Sequence, residues 1–153
     1  MAWNRVRPIA LALICRDDEI LVARHERDDG RFYRPLGGGI EVGEYAQEAV
    51  AREVNEELGR SIHRIRRRAV LENVFRDRGE QAHEIVFVMD AAFVDETAYE
   101  QEHFVATEES ERGSASLPVT WMSPRAGAPL YPTGLADVAA RALSGSEKPS
   151  RSR

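Results

Sequence analysis

Residues 38–60 read GGIEVGEYAQEAVAREVNEELGR, a glycine-rich start followed by a run rich in alanine and glutamate. Residues 45–58 are predicted to form a helix, because apolar residues recur along them at spacings of three and four. Gly59 stands where a left-handed C-terminal cap is expected. The segment therefore predicts a glycine-rich loop that leads directly into an amphipathic helix. The apolar stripe of that helix consists of Ala46, Ala49, Val50, Val54 and Leu58.

Three glutamates crowd the last two turns of this helix. Glu53, Glu56 and Glu57 stand at i, i+3 and i+4, where like charges destabilise a helix by about 0.2–0.5 kcal/mol per pair. The negative end of the helix dipole disfavours them further. A divalent cation among the carboxylates would offset this repulsion, and oxygen-only ligands favour Mg²⁺ or Mn²⁺ over zinc. The alternative is a solvated helix face, which gains some support because Arg52 can pair with Glu48 or Glu56.

The glycines and the glutamates come at fixed separations. Gly38 is followed after five residues by Glu44, and after seven more by the run at residues 52–59. This pattern resembles the Nudix box of the Nudix hydrolase family, G-x5-E-x7-R-E-U-x-E-E-x-G-U, in which U is a bulky aliphatic residue. Every fixed polar and glycine position matches. Two departures are Arg60 at the last aliphatic position, whose packing Ile62 can provide, and a proline one place early in the preceding Arg-Pro-Leu-Gly-Gly.

The resemblance implies an α/β fold, specifically a Nudix-like α/β/α sandwich with a mixed β-sheet between helices. It also implies hydrolysis of the pyrophosphate linkage of a nucleoside diphosphate linked to a moiety X. The substrate is then a nucleotide sugar such as ADP-ribose, or a (deoxy)nucleoside triphosphate. Markers of several family subgroups are absent, so X is not identified. In this family box carboxylates hold divalent cations, and the implied metal ligands here are Glu53, Glu56, Glu57 and the carbonyl of Gly37.

The resemblance also assigns roles within the box. The implied catalytic residues are the same three glutamates together with Arg52, which orients them by ion pairing. Either Glu53 or Glu56 is the candidate general base that accepts a proton from the attacking water. The remaining fixed positions are implied to be structural, namely Gly38, Glu44 and Gly59.

Polar residues outside the box are candidates for substrate binding. Asn73 lies in one predicted strand, His83 and Glu84 begin the next, and Arg34 precedes the glycines. The alternative for His83 is a cap at the strand end, and for Asn73 a place at the sheet rim. Residues 95–111 are predicted to be an acidic loop, which either supplies a further ligand or base or is simply solvated. Its candidates are Glu96, Glu100, Glu102, Glu108 and Glu109.

The remaining elements follow in the order strands, helix, strands, helix, which predicts a mixed sheet with helices packed on it. Residues 65–75 and 84–94 are predicted to pair as a hairpin around residues 77–80. Thr133 is expected to cap a last helix over residues 134–143. Further strands are predicted over residues 8–15, 20–23 and 119–122.

Length and composition limit the other possibilities. The 153 residues fit a single domain over residues 1–143, followed by a polar tail over 144–153 that is predicted to be disordered. A net charge of −5 gives no general attraction for nucleic acid. No apolar run is long enough to span a membrane. The single cysteine, Cys15, favours a reducing compartment, and the predicted location is cytoplasmic.

The resemblance also bears on partners. It implies a small-molecule nucleotide as substrate, and a homodimer is a further expectation because the family often forms dimers. The alternative function is a Nudix-fold module that senses a nucleotide, or regulates, without turnover. Such modules usually lose box carboxylates, whereas this chain keeps them all.

Overall fold

The computed structural model describes residues 4–27, 30–110 and 113–144. Within these residues it contains eight strands, two α-helices and one 3-10 helix. The helices are α1 (Ala46–Leu58) and α2 (Leu135–Leu143), and the 3-10 helix is Glu96–Glu100. The strands are β1 (Arg7–Arg16), β2 (Glu19–Arg27), β3 (Gly30–Arg34), β4 (Gly37–Gly39), β5 (Ile62–Asp77), β6 (Glu80–Phe93), β7 (His103–Ser110) and β8 (Gly113–Met122).

Strand β1 organises the sheet. It pairs in parallel with β6 and antiparallel with both β2 and β4. The order across the sheet is β5-β6-β1-β2-β8-β7, with β3 added to β2 and β4 added to β1. The sheet is therefore mixed, as the sequence predicts.

The two α-helices cover opposite faces of this sheet. Alternate residues of a strand point to opposite faces, so β1 contributes to two cores. Because both faces of β1 are buried, its sequence is an apolar run without polar alternation. The α1 core includes Ala10, Ala12, Ile14, Val50 and Val54. The α2 core includes Ile9, Leu11, Leu13, Leu135 and Val138. This arrangement confirms the predicted α/β/α sandwich.

The ends of α1 agree with the sequence. Gly59 has φ 68°, and its N–H donates to the Asn55 carbonyl at 2.8 Å, so it is the predicted left-handed C-terminal cap. At the N-terminus the Glu48 carboxylate accepts the Tyr45 N–H at 2.8 Å, which satisfies a donor that the helix leaves unpaired.

The predicted cap of the last helix is wrong. The N-cap residue of α2 is Gly134, with φ 94°, and no side chain caps the helix there. The helix begins at Leu135, whose N–H donates to the Pro132 carbonyl at 3.0 Å. Because backbone groups close this turn, the Thr133 hydroxyl is not needed.

The acidic segment is largely regular structure and not a loop. Asp95 caps the 3-10 helix by accepting the Thr97 N–H at 3.0 Å, and β7 then pairs with β8. The burial pattern of β7 shows that one face of this strand packs into the core. Phe104 and Ala106 are buried while Val105 is exposed, so a short alternation is enough for an edge strand.

None of the helices in the described part of the chain is long and apolar enough to cross a membrane. The predicted disordered tail falls outside the described residues, except for Ser144, whose N–H donates to the Arg141 carbonyl at 3.3 Å at the end of α2.

Candidate catalytic site

The glycine-rich loop forms strand β4, which lies directly against β1. Gly37 has φ 148°, and a Cβ there would run into the carbonyl oxygen of Ala10. A Cβ on Gly38 would lie 2.6 Å from the carboxylate of Glu53. The two glycines therefore let the backbone fit between β1 and the acidic end of α1.

The outer edge of β4 faces α1. The Gly37 N–H donates to Glu57 Oε1 at 3.1 Å, and the Gly39 carbonyl accepts from Arg52 Nη2 at 3.0 Å. In an antiparallel ladder, residues outside the hydrogen-bonded pairs direct both N–H and C=O away from the partner strand. The Gly37 carbonyl thus lies on the same edge as its N–H, on the side of the glutamates.

Arg52 connects three of the box carboxylates. Its guanidinium donates twice to Glu44, at 2.7 and 3.0 Å, and Nη1 donates to Glu53 at 2.9 Å and to Glu56 at 3.4 Å. The hydrogen bonds with Arg52 lower the pKa of Glu44 to about 2, so this pair is charged at neutral pH. Glu44 fastens the loop to the helix, and Arg52 fixes where the other two carboxylates point.

Glu57 is the buried member of the cluster. Burial raises the pKa of Glu57 to about 8, and the neighbouring Glu53 and Glu108 charges add to the rise. The Gly37 N–H and the positive charge of Arg34 oppose it. A carboxylate in this setting holds a proton near neutral pH unless more positive charge arrives. A divalent cation would supply that charge, so the donor set fits the predicted metal.

As arranged, the glutamates do not converge into a finished cage. Within residues 4–27, 30–110 and 113–144, no group of three or more His, Cys, Asp or Glu side chains is placed to hold a metal ion. Arg52 Nη1 instead donates to both Glu53 and Glu56. A cation bound there must share these oxygens with Arg52 or displace it.

Three of the four predicted substrate-binding residues lie together. Asn73 and Glu84 are direct cross-strand partners in the β5–β6 hairpin, and Arg34 Nη1 lies 4.0 Å from Glu84 Oε2. His83 does not join them, because neighbouring residues of a strand point to opposite faces. It bonds instead to the exposed Glu72, at 2.9 Å.

Strand β7 brings Glu108 to the site, since its charge acts on Glu57. Among the other acidic candidates of this segment, Glu102 pairs with Arg16 at 2.9 Å and Glu109 accepts from Ser114 at 2.7 Å. Phe104 and Ala106 face the α1 core, and Glu108 continues the same side of the strand. That alternation is the sequence signal that could have singled out Glu108.

The departure at Arg60 is accommodated by packing. Its guanidinium carbon lies 5.6 Å from the centre of the Phe104 ring, and Nη2 donates to Gln101 at 2.9 Å. Ile62 is buried in the α1 core, as the sequence predicts for the residue that replaces the missing aliphatic side chain.

The protein thus belongs to the α/β class, and in its candidate site the acidic C-terminal turns of α1 lie against the glycine strand β4. A family model described as the NUDIX domain matches residues 5–138. The chain belongs to the NUDIX domain family, which confirms the sequence-based assignment to Nudix-type hydrolases.

Curated relatives match over less than half of the chain. The NAD-capped RNA hydrolase NudC of Photorhabdus laumondii is 44% identical over 64 residues, which is 42% of this chain and 25% of that protein. The NAD-capped RNA hydrolase NudC of Escherichia coli K12 is 42% identical over 64 residues, with the same shares. The chain thus matches about a quarter of the length of these relatives.

Solved structures match over nearly the whole chain. A MutT NUDIX hydrolase from Burkholderia pseudomallei has a TM-score of 0.57 at 23% identity, covering 90% of this chain and 98% of that one. An ADP-ribose pyrophosphatase from Streptococcus suis has a TM-score of 0.57 at 19% identity, covering 95% and 96%. At these identities the likeness concerns the fold.

Proposed function

We propose that this protein hydrolyses the pyrophosphate linkage of a nucleoside diphosphate linked to a moiety X, and that it requires Mg²⁺ or Mn²⁺. The observation that carries the proposal is the position of Glu57, buried beside Glu53 at the outer edge of β4 and hydrogen-bonded to the Gly37 N–H. The proposed metal ligands are Glu53, Glu56, Glu57 and the Gly37 carbonyl.

The acidic protein needs local positive charge to bind an anionic substrate. When bound, the cation supplies that charge, screens the phosphate oxygens and lowers the pKa of an attacking water. Arg34 adds a positive charge between Glu57 and Glu84. Glu53 or Glu56 accepts the proton of the water, and Arg52 holds both carboxylates for this step. The protein's own contribution is therefore positioning and charge stabilisation.

The activities of proteins that this chain resembles support this substrate class. NAD-capped RNA and ADP-ribose both contain a nucleoside joined through a pyrophosphate linkage, and proteins with these names resemble the chain. The substrate proposed here is a small nucleotide with the same linkage. We further propose that the protein acts in the cytoplasm and that residues 1–143 form a single catalytic domain. The expected assembly is a homodimer.

A sensing module without turnover is the alternative. Retention of all three helix glutamates and of Arg52 favours the enzyme, because binding alone does not require a proton acceptor beside the cation.

The test is turnover by Glu57→Gln and Glu56→Gln variants with Mg²⁺. Nucleoside triphosphates, nucleotide sugars, ADP-ribose and dinucleoside polyphosphates form the substrate panel, with phosphate or pyrophosphate release as the readout. We expect each variant to lose at least about 100-fold in kcat with an unchanged circular dichroism spectrum. Glu48→Gln is the matched control on the same helix, because glutamine also accepts the Tyr45 N–H. Equal turnover in wild type and both site variants would refute the proposal.

A further inference from the structure

Two buried polar side chains face each other on the hairpin of β5 and β6. Asn73 and Glu84 are direct register partners and lie on the same face of the sheet. Each is only 5% exposed. Burying an amide and a carboxylate is unfavourable unless hydrogen bonds compensate, so such groups normally have partners.

These partners are missing at this pair. Among the described residues, the Asn73 amide makes no hydrogen bond, and its polar atoms are not among the fully enclosed atoms that lack a partner, so they remain open to solvent or to a ligand. The carboxylate of Glu84 has an ion pair with Arg34 at 4.0 Å, which is too long for a hydrogen bond. Asp90 on the same strand provides the contrast. It is equally buried, and Arg68 satisfies it with two hydrogen bonds, at 3.0 and 2.9 Å.

Aromatic side chains lie next to this pair, beginning two residues further along β5. Phe75 follows Asn73 on the same face of β5, and its cross-strand partner is the small residue Ala82. The planar guanidinium of Arg27 lies over three rings there, 4.2 Å from the centre of Phe32, 5.5 Å from Phe75 and 5.0 Å from that of a neighbouring tyrosine, Tyr131. A planar, delocalised group therefore packs against these aromatic rings, as a nucleotide base also can.

The pair is also connected to the proposed catalytic carboxylates. Arg34 lies beside Glu84, and its charge acts on Glu57. One arginine side chain thus separates the unsatisfied pair from the site where the pyrophosphate would be cleaved. In a bound nucleotide the base would lie at Asn73 and Glu84, and the phosphates would lie near Glu57.

We infer that Asn73 and Glu84 recognise the base of the substrate and that this base is guanine. This inference rests on the proposed function. The Glu84 carboxylate accepts hydrogen bonds from guanine N1–H and the 2-amino group, and the Asn73 amide donates to O6. Guanine suits the pair because it carries two adjacent N–H donors on one edge, next to an acceptor. Adenine has no N–H at N1, and hypoxanthine lacks the 2-amino group.

The test compares guanine with hypoxanthine, which differ by one amino group. Binding of GDP, IDP and ADP with Mg²⁺ is measured by calorimetry, and turnover of GTP, ITP and ATP is measured in parallel. For wild type we expect GDP to bind about 10- to 100-fold more tightly than IDP, which corresponds to one charge-assisted hydrogen bond. Glu84→Gln should abolish that ratio, because an amide presents an N–H₂ group to the donors. Asn73→Ala should weaken GDP and IDP alike.

Glu72→Gln is the matched control. Glu72 neighbours Asn73 on the opposite, exposed side and pairs with His83, so this variant should behave as wild type. The inference is overturned if wild type binds GDP and IDP equally, or if Glu84→Gln keeps the guanine preference. A wild-type protein that cleaves nucleotides without preferring guanine would leave the proposed function intact. Absence of turnover on every nucleotide tested would instead contradict the proposed function.

Discussion

The carboxylate of Glu53 occupies the space that a side chain at Gly38 would need. An ideal Cβ on Gly38 would lie 2.6 Å from the Glu53 carboxyl carbon. The glycine in the loop and the glutamate on the helix are therefore a fitted pair, although fourteen positions of the chain lie between them. The contact joins β4 to the last turns of α1.

Replacing Gly38 by alanine should move this carboxylate and leave the fold intact. The obstructing atoms belong to the far end of a flexible side chain, which can rotate away. We expect a loss of at least about 10-fold in kcat, because a carboxylate that holds a cation or a proton must be placed accurately. Turnover and thermal unfolding measured on the same samples check this expectation. Full activity in the variant would show that the Glu53 position is not critical.

Gly37→Ala should act on stability instead. The added Cβ would meet the backbone carbonyl of Ala10, and the φ of 148° is strained for any side chain. We expect the free energy of unfolding to fall by about 2 kcal/mol or more, measured by urea denaturation. A variant as stable as wild type would mean that β4 can shift away from β1.

Arg52→Lys should impair catalysis more than folding. The guanidinium makes five hydrogen bonds in fixed directions, and a single ammonium cannot reproduce the two that hold Glu44. We expect kcat to fall by about 10-fold or more, with a smaller change in KM. Arg60→Lys, which changes an arginine just beyond the C-terminal cap of α1, is the control. Wild-type kcat in the Arg52 variant would argue against a positioning role.

Added Mg²⁺ should raise the melting temperature, because a ligand that binds the folded state stabilises it. The rise should be absent or much smaller in Glu57→Gln and preserved in Glu48→Gln, whose side chain only caps the helix. Differential scanning fluorimetry in EDTA and in a magnesium series measures it. An equal rise in both variants would place the cation elsewhere.

The stability of the protein should depend on His25 in acid. Burial lowers the pKa of His25 to about 4, and the nearby charges of Arg34 and Arg27 contribute. Between pH 6.5 and 4, His25 is therefore protonated in the unfolded chain but mostly neutral in the folded protein. The free energy of unfolding consequently falls as the pH falls. We expect this group to account for about 2 kcal/mol between pH 7 and pH 4.5. The measurement is the urea midpoint at pH 7 and at pH 4.5. The difference between these two midpoints should be smaller in His25→Gln than in wild type. An identical decline in the variant would contradict the assignment.

The parts of the site that lie close together in the chain could be predicted from the sequence. The helix, its Gly59 cap and the Arg52 ion pairs follow from spacings of three and four, which are local geometry. The pairing of Asn73 with Glu84 was also within reach, because the turn at residues 77–80 fixes the register of the hairpin.

Relationships across the fold could not be read in this way. The approach of Glu108 to Glu57 depends on how an edge strand packs against α1. Its segment carries many charges and few apolar residues, which resembles a loop when tertiary packing is unknown. Thr133 fails as a cap for a similar reason, because Gly134 has a positive φ and leaves the hydroxyl no role.

Strand β1 has a consequence for how the molecule assembles. It lies between β6 on one flank and β2 on the other, and β4 also rests on it. Arg34 comes from one flank, and Glu84 from the other. Because the Arg34–Glu84 contact needs a residue from each flank, a cut within β1 should leave no active fragment on either side.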